Sequence, residues 1–304
     1  MGPTAAGKTG LAVNLVKSFP LEIVSVDSAL VYREMDIGTA KPDVATLQVA
    51  PHRLIDIRDP AETYSAAEFR EDALIEMSRI TTAGKVPLLV GGTMLYFRAL
   101  SGGLAELPAA SPLIRKRIEK QAIRDGWPAL HEKLQQIDPE IASRIHPNDS
   151  QRIQRALEVY EITGKKFSDL KNAHRESEAE NCGYRILRLI VCPGDRKVLH
   201  GRIEQRFSAM IQQGFMDEMR RLYQRGDLDP SMPSMRCVGY RQGWSHLAGE
   251  IDQQQMTSQS VAATRQLAKR QLTWLRQESD AIWYDPGAVS VQKSVFRDVE
   301  NFLE

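Results

Sequence analysis

The chain has 304 residues, 42% hydrophobic and 26% charged, with 40 Lys and Arg against 39 Asp and Glu. That is the composition of a globular protein large enough for one big domain or two smaller ones. No stretch approaches the roughly 18 unbroken apolar residues of a membrane span. No basic-then-apolar leader opens it, and Cys182, Cys192 and Cys237 are too few and too scattered for a disulfide framework or a zinc site. No membrane partner is expected, and a reducing, cytoplasmic setting is. Charge is uneven: residues 110–175 carry 13 Lys and Arg against 9 Asp and Glu, while 1–100 carry 10 against 12. A basic middle is compatible with a polyanionic partner, although charge alone favours a solvated helical surface.

The first ten residues, MGPTAAGKTG, match G-x-x-x-x-G-K-[ST] with Gly2, Gly7, Lys8 and Thr9. Glycines let the backbone curl so that successive N–H groups form an anion nest at a helix start. Lys8 adds a mobile positive charge, and the Thr9 hydroxyl can ligate magnesium. The helix follows at once, with Leu11, Leu15 and Val16 at helical spacing. A P-loop normally leaves a buried strand, whereas only Met1 precedes Gly2. That leaves open a start further upstream or a sheet without its central strand.

PLEIVSVDSALVY reads as a buried strand delivering Asp27 and Ser28 at its C-terminal edge. HRLIDIRDP reads as a second strand closed by Pro60. Ser65 and Glu68 form a capping box for an amphipathic helix. Val86–Val90 is a third strand that breaks at Gly91-Gly92 into another helix. Strand and helix in alternation predict an α/β fold with a parallel sheet flanked by helices, and ligands in such sheets sit beyond the C-terminal strand ends. Asp27, Thr93 and the P-loop should therefore share one crevice. From Leu107 the pattern turns helical, an insertion over 107–177 that divides a core of 1–106 and 178–304. KNAHRESEAEN reads as a loop, YRILRLIVCP as a resumed strand, and RKVLHGRIEQRFSAMIQQGFMDEMRRLYQRG as one long helical stretch. A last helix carries Arg265, Lys269 and Arg276 within about 40° of one another.

Asp27 suits a magnesium ligand or a general base. Thr93 suits hydrogen bonding at the strand end or a helix cap. Arg206 suits a charge clamp or a surface cation. The turn MRCVGYRQ suits stacking on a base if Tyr240 is exposed, and core packing if it is not. His spacing suggests no metal site, and no Ser/His/Asp ordering suggests hydrolysis.

The blocks GPTAAGKT, SVDSALVYREMDIGTAKP, APHRLIDIRDP, YSAAEFR, LLVGGTMLYFRAL, HPNDSQRIQRALEVY, RIEQRF, RCVGYRQ and TRQLAKRQLTWLR occur in one order. Together, from Gly2 to about Arg276, they resemble the bacterial tRNA dimethylallyltransferase (tRNA isopentenyltransferase) family. The resemblance implies a P-loop NTPase-like core with a helical insertion that clamps tRNA. It implies transfer of a dimethylallyl group from dimethylallyl diphosphate to the exocyclic amine of the adenosine 3′ of the anticodon. Gly2, Thr4, Ala5, Ala6, Gly7, Lys8 and Thr9 would grip the diphosphate, with Thr9 near a magnesium ion. Asp27 would accept the amine proton, with Thr93 and Arg206 at the reacting region. Contacts to the anticodon stem-loop would come from Asp27, Ser28, Ala29, Leu30 and Thr93, from Arg115, and from Gln151, Arg152, Ile153, Gln154 and Arg155. Further contacts would come from Arg236, Cys237, Val238, Gly239, Tyr240 and Arg241, and from Lys269, Arg270 and Arg276. A monomer is expected. The chain departs from the family's pattern in reading Ala-Ala before Gly7 where many members read Ala-Ser, in lacking the strand before the P-loop, and in carrying no C-terminal zinc module. Three rivals stay open: a free-adenylate (AMP) prenyltransferase, a small-molecule P-loop kinase, and an RNA-binding protein without catalysis.

Overall fold

LEIVSV shows no polar alternation, the pattern of a parallel strand covered on both faces. All six of its residues are buried in β1, Leu21–Val26, which follows α1, Lys8–Ser18. After α2, Val44–Val49, comes β2, His52–Arg53; after α3, Ala66–Thr82, comes β3, Val86–Gly91. β2 and β3 flank β1 in the order β2-β1-β3, both parallel to it, with Leu21 opposite Val86 and Val26 opposite Gly91. The computed structural model describes residues 1–102, 107–177 and 183–304. Beyond β3 the chain runs through α4, Met94–Gly102, then α5, Pro112–Asp125, α6, Trp127–Ile137, α7, Pro139–Ala142, α8, Ser150–Thr163, and α9, Phe167–Ser177. β4, Leu189–Val191, is followed by α10, Arg196–Gln212, α11, Phe215–Gln224, α12, Tyr240–Leu247, and α13, Gln253–Leu275. β5, Ile282–Tyr284, pairs in parallel with β4, and α14, Val291–Leu303, closes the order. None of the described helices is long and apolar enough to cross a membrane.

The fold is α/β, a parallel sheet flanked by helices, and it forms two compact units: Met1–Leu100 with Arg185–Glu304, and Ser101–Tyr184. The sequence-predicted divisions at 106/107 and 177/178 abut residues 103–106 and 178–182, outside the described residues, as is Cys182.

In the first unit, α1 packs on the sheet through Ala12 and Leu15, and Val295 and Val299 of α14 extend the same apolar layer under Tyr284. A second core gathers Val31, Tyr32 and Met35 against Phe207, Phe215, Met219, Met235 and Tyr240. Beside β4, the Val191 N–H donates to Met1 O at 3.0 Å and Met1 N donates to Leu189 O at 2.8 Å.

Several sequence expectations need correction. HRLIDIRDP does not continue as a strand beyond Arg53, because Leu54 (φ 62°) and Asp56 (φ 56°) take left-handed backbone. The chain instead returns to Val31, whose carbonyl accepts from the Ile57 and Arg58 N–H groups at 2.9 Å each. The long helical stretch is two helices, broken at Gly214 with φ 97°, a conformation that favours glycine. The loop expected at KNAHRESEAEN is helical through Ser177, the remainder lying outside the described residues. β5 and α14 carry no motif and were not expected. The capping box is present: Ser65 Oγ accepts from the Glu68 N–H at 3.2 Å, and Glu68 accepts from the Ser65 N–H at 2.8 Å.

The helical unit is built on Ile118, Leu130, Leu134, Ile153 and Leu157. Within it lies the fully buried carboxylate of Glu158. It accepts from Arg115 Nε at 2.9 Å, Arg155 at 2.6 Å and the Ser111 N–H at 2.8 Å. Burial pushes the Glu158 carboxyl up, but Arg115, Arg155 and the Ser111 N–H outweigh it and hold it below its ordinary 4.5. A depressed carboxylate stabilises the fold above that ordinary value, and the stabilisation is lost as the pH falls through the lower, folded value. Glu158→Gln is therefore expected to cost about 2 kcal/mol at neutral pH. The gap from the parent chain should narrow as denaturation midpoints are measured at successively lower pH below 4.5. A gap independent of pH would show that the charge of Glu158 contributes nothing.

Candidate active site

The loop Gly2–Gly7 relies on glycine at both ends, for want of room at Gly2 and for left-handed backbone at Gly7. A Cβ on Gly2 would come within 2.3 Å of Val191 O. Gly7, at φ 88°, is the N-cap of α1 and contributes no side-chain hydrogen bond there. The first N–H groups of α1 are thus left without a side-chain cap, facing the N-terminal end of the helix dipole, where an anion is favoured. Ala5 also takes left-handed backbone (φ 61°), and Ala6 is buried, its N–H donating to Pro3 O at 3.3 Å. Neither alanine side chain makes a polar contact; their place in the loop is through backbone.

Parallel strands end together, and so do their side chains. The Thr93 N–H donates to Val26 O at 3.2 Å, the Ser28 N–H donates to Thr93 Oγ1 at 3.0 Å, and the Ala29 N–H donates to Asp27 Oδ1 at 2.9 Å. Asp27 and Thr93 therefore meet at the C-terminal edge of β1 and β3. From α10, Arg206 reaches across to donate to Thr39 O at 3.2 Å and to Thr4 Oγ1 at 3.5 Å.

These groups line one cavity of about 610 Å³ together with Lys8 and Thr9. Among the described residues its wall carries Lys8, Arg206, Arg236 and Arg270 against the single carboxylate of Asp27. Lys8 donates to Pro3 O at 2.7 Å. Burial pushes the Lys8 ammonium down to about 8; Arg206 adds to the fall and Asp27 opposes it. Burial likewise lowers Arg206, opposed by Asp27. Two buried cations brought together in this way give the cavity a charge that an anion would complement. Burial and the charge of Asp27 push the Cys237 thiol up to about 12, which favours its neutral form.

The tRNA-contact positions expected from the resemblance fall in different surroundings. Ser28, Ala29, Leu30, Arg236, Cys237, Val238, Gly239 and Arg270 line the cavity. Arg241, Lys269 and Arg276 are exposed. Gln151 and Arg152 are exposed at the start of α8, and Gln154 donates to Glu119 at 3.0 Å. Arg115 and Arg155 spend their guanidinium groups on Glu158. Two expectations need correction. Ile153 is fully buried in the helical core and presents no side chain to a ligand. Tyr240 is also fully buried, its hydroxyl donating to Glu218 Oε1 at 2.6 Å and its ring edge-on to Phe215 at 5.4 Å. It packs the core and cannot stack on a base.

Residues that sequence reasoning passed over also line the cavity: Ser25, His52 and Gln271. Ser25 Oγ is buried without a hydrogen-bond partner. Gln271 accepts from the Thr4 N–H at 2.9 Å and donates to Gly92 O at 2.8 Å. A signal for Gln271 was present. Thr264, Leu267, Gln271 and Trp274 recur every three or four residues and form the cavity-facing side of α13; attention to the basic residues picks out a different face.

Comparisons with known proteins bear on the family and the fold. A family model described as IPP transferase matches residues 30–278. The tRNA isopentenylpyrophosphate transferase of Bacillus halodurans is 35% identical over 99% of this chain and 93% of its own, with a TM-score of 0.70. The tRNA delta(2)-isopentenylpyrophosphate transferase of Staphylococcus epidermidis is 32% identical over 100% of this chain and 97% of its own, with a TM-score of 0.69. A eukaryotic dimethylallyltransferase acting on tRNA shares the fold, with a TM-score of 0.83 at 24% identity over 99% of this chain and 78% of its own. With most of the chain inside the family model and two relatives above 30% identity along nearly its whole length, the chain belongs to the IPP transferase family.

Proposed function

We propose that the chain transfers the dimethylallyl group of dimethylallyl diphosphate to the exocyclic N6 of the adenosine 3′ of the anticodon (position 37) in tRNA, releasing diphosphate. The observation that carries this reading is a cavity in which one carboxylate, Asp27, faces a helix N-terminus and two half-buried cations. The uncapped N–H groups of α1, with Lys8 and Arg206, hold the diphosphate. The adenine nitrogen attacks the allylic C1, the C1–O bond breaks, and its electron pair leaves with the diphosphate. The amine proton passes to the Asp27 carboxylate. That help matters because the amine lone pair is delocalised into the ring; a well-placed base is worth about 10²–10⁴-fold.

The oxygen donors of this cavity fit a hard cation: the Thr9 hydroxyl, the Asp27 carboxylate and the partnerless Ser25 hydroxyl. Thr9 is the residue we assign to a magnesium ion, which when bound would help neutralise charge on the departing diphosphate. The acceptor adenine belongs to a single-stranded loop, so extracting it costs only a few kcal/mol. The anticodon stem-loop is gripped through exposed cations such as Arg241, Lys269 and Arg276. The reading includes a monomer working in the cytoplasm.

The deciding experiment incubates purified protein with magnesium, labelled dimethylallyl diphosphate and either unmodified tRNA or AMP, followed by nucleoside analysis. Label on the adenosine beside the anticodon is expected. Label only on AMP would overturn the acceptor, and consumption of ATP without prenyl transfer would favour a kinase. Asp27→Asn should lower turnover by about 10²–10⁴-fold while the tRNA dissociation constant stays within a few-fold. Near-normal turnover would remove Asp27 from the mechanism. An anion favours protonated Lys8, whose value in the free protein is about 8. Affinity for inorganic diphosphate should therefore fall as the pH is raised through 8 more steeply in the parent than in Lys8→Ala. Parallel curves for the two proteins would contradict this.

A further inference from the structure

The phosphate loop has few anchors of its own. Three side chains hold its Pro3–Thr4 segment. Lys8 Nζ donates to Pro3 O at 2.7 Å, Arg206 donates to Thr4 Oγ1 at 3.5 Å, and Gln271 Oε1 accepts from the Thr4 N–H at 2.9 Å. Two of these are cations facing the cavity, and a bound diphosphate competes for both, because a charge-assisted bond to a phosphate oxygen is stronger than one to a neutral carbonyl or hydroxyl. Gln271 is neutral and is not drawn to the anion in that way. Its second group is committed as well: Nε2 donates to Gly92 O at 2.8 Å. The amide therefore ties the loop to the residue between β3 and Thr93. The fit there is close, since a Cβ on Gly92 would lie 2.4 Å from Gln271 Nε2.

We propose that Gln271 is a positioning residue for the donor's diphosphate: it alone among these side chains keeps hold of the P-loop once Lys8 and Arg206 have turned to the anion, and it fixes that loop to the strand end carrying Thr93. This rests on the reading of the cavity as a diphosphate site. Arg270 and Trp274, neighbours of Gln271 on α13, line the same cavity, so one helix sets both the donor loop and a wall of the reaction space. Gln271 acts through the loop backbone and touches no reacting atom.

The test uses the full chain. Gln271→Leu keeps the bulk and removes both hydrogen bonds. It should weaken binding of inorganic diphosphate, measured by calorimetry with magnesium and without tRNA, by about tenfold, the scale of two lost net hydrogen bonds. In steady state the KM for dimethylallyl diphosphate should rise by a similar factor, with the KM for tRNA unchanged and kcat within a few-fold. A purely structural role would instead lower the active fraction and leave both KM values alone. Should Gln271→Leu fail to fold, Gln271→Met, which also lacks both hydrogen bonds but fills the site with a more flexible side chain, should weaken diphosphate binding likewise. Unchanged diphosphate affinity in Gln271→Leu, or in Gln271→Met where it stands in, overturns the proposal. A parent chain that binds diphosphate but leaves tRNA unlabelled overturns the proposed acceptor, while the calorimetry still decides Gln271. A parent chain that does not bind diphosphate overturns both.

Discussion

One buried carboxylate organises a wall of the cavity lined by the Gly2–Thr9 loop. Glu218, 1% exposed on α11, accepts from the backbone N–H groups of Asp36 and Ile37 at 2.9 and 2.8 Å, and from that of Gly38 at 3.1 Å. The Tyr240 hydroxyl adds a fourth bond at 2.6 Å. A carboxylate taken out of water is costly unless its lone pairs are filled, and here four donors fill them. The consequence reaches the chemistry within one residue. Thr39, next to Gly38, offers the carbonyl that Arg206 uses, so the placement of that cation follows from the way Glu218 gathers the 36–38 turn. The aromatic edge of Tyr240 against Phe215, and Gly38 lying beneath both rings, make the same point in apolar terms.

The opposite wall is cheaper to build. Parallel strands of similar length end at one level, and Asp27 and Thr93 are the residues that come next. The sheet brings both residues to one edge, and the bond from the Ser28 N–H to Thr93 Oγ1 joins the two strand ends there. What remains expensive is the cluster of Lys8 and Arg206. Each is lowered by burial, and only Asp27 opposes the fall in both. Holding two cations beside the carboxylate of Asp27 gives the cavity a charge that favours a multiply charged anion.

The helical unit shows how a basic composition misleads. Its excess of Lys and Arg suggests an open cationic face, yet Arg115 and Arg155 converge on Glu158 and Arg117 pairs with Glu161. An arginine that closes a buried carboxylate serves its own fold first. Among the residues of MRCVGYRQ, the same division runs through neighbours: Arg236 and Arg241 are exposed while Tyr240 between them is sealed in the core. No local pattern distinguishes those outcomes, because they depend on which distant element packs over the turn.

The sequence by itself determined what is local. The P-loop spacing, the apolar strand ending in Asp27, the capping box at Ser65 and the strand before Gly91-Gly92 are all readable within a few residues of chain, because turn geometry, capping and strand burial are short-range effects. Periodicity also marked α5 to α8 and α13 as helices. The tertiary structure alone decided which distant groups meet. Leu54 and Asp56 ended a strand that looked longer, β4 found its partner β5 some ninety residues later, and Gln271 of α13 came to lie between Thr4 and Gly92. Those contacts join residues far apart in sequence, and a hydrogen bond between an amide on a helix and a carbonyl just beyond a strand leaves no periodic trace in either segment.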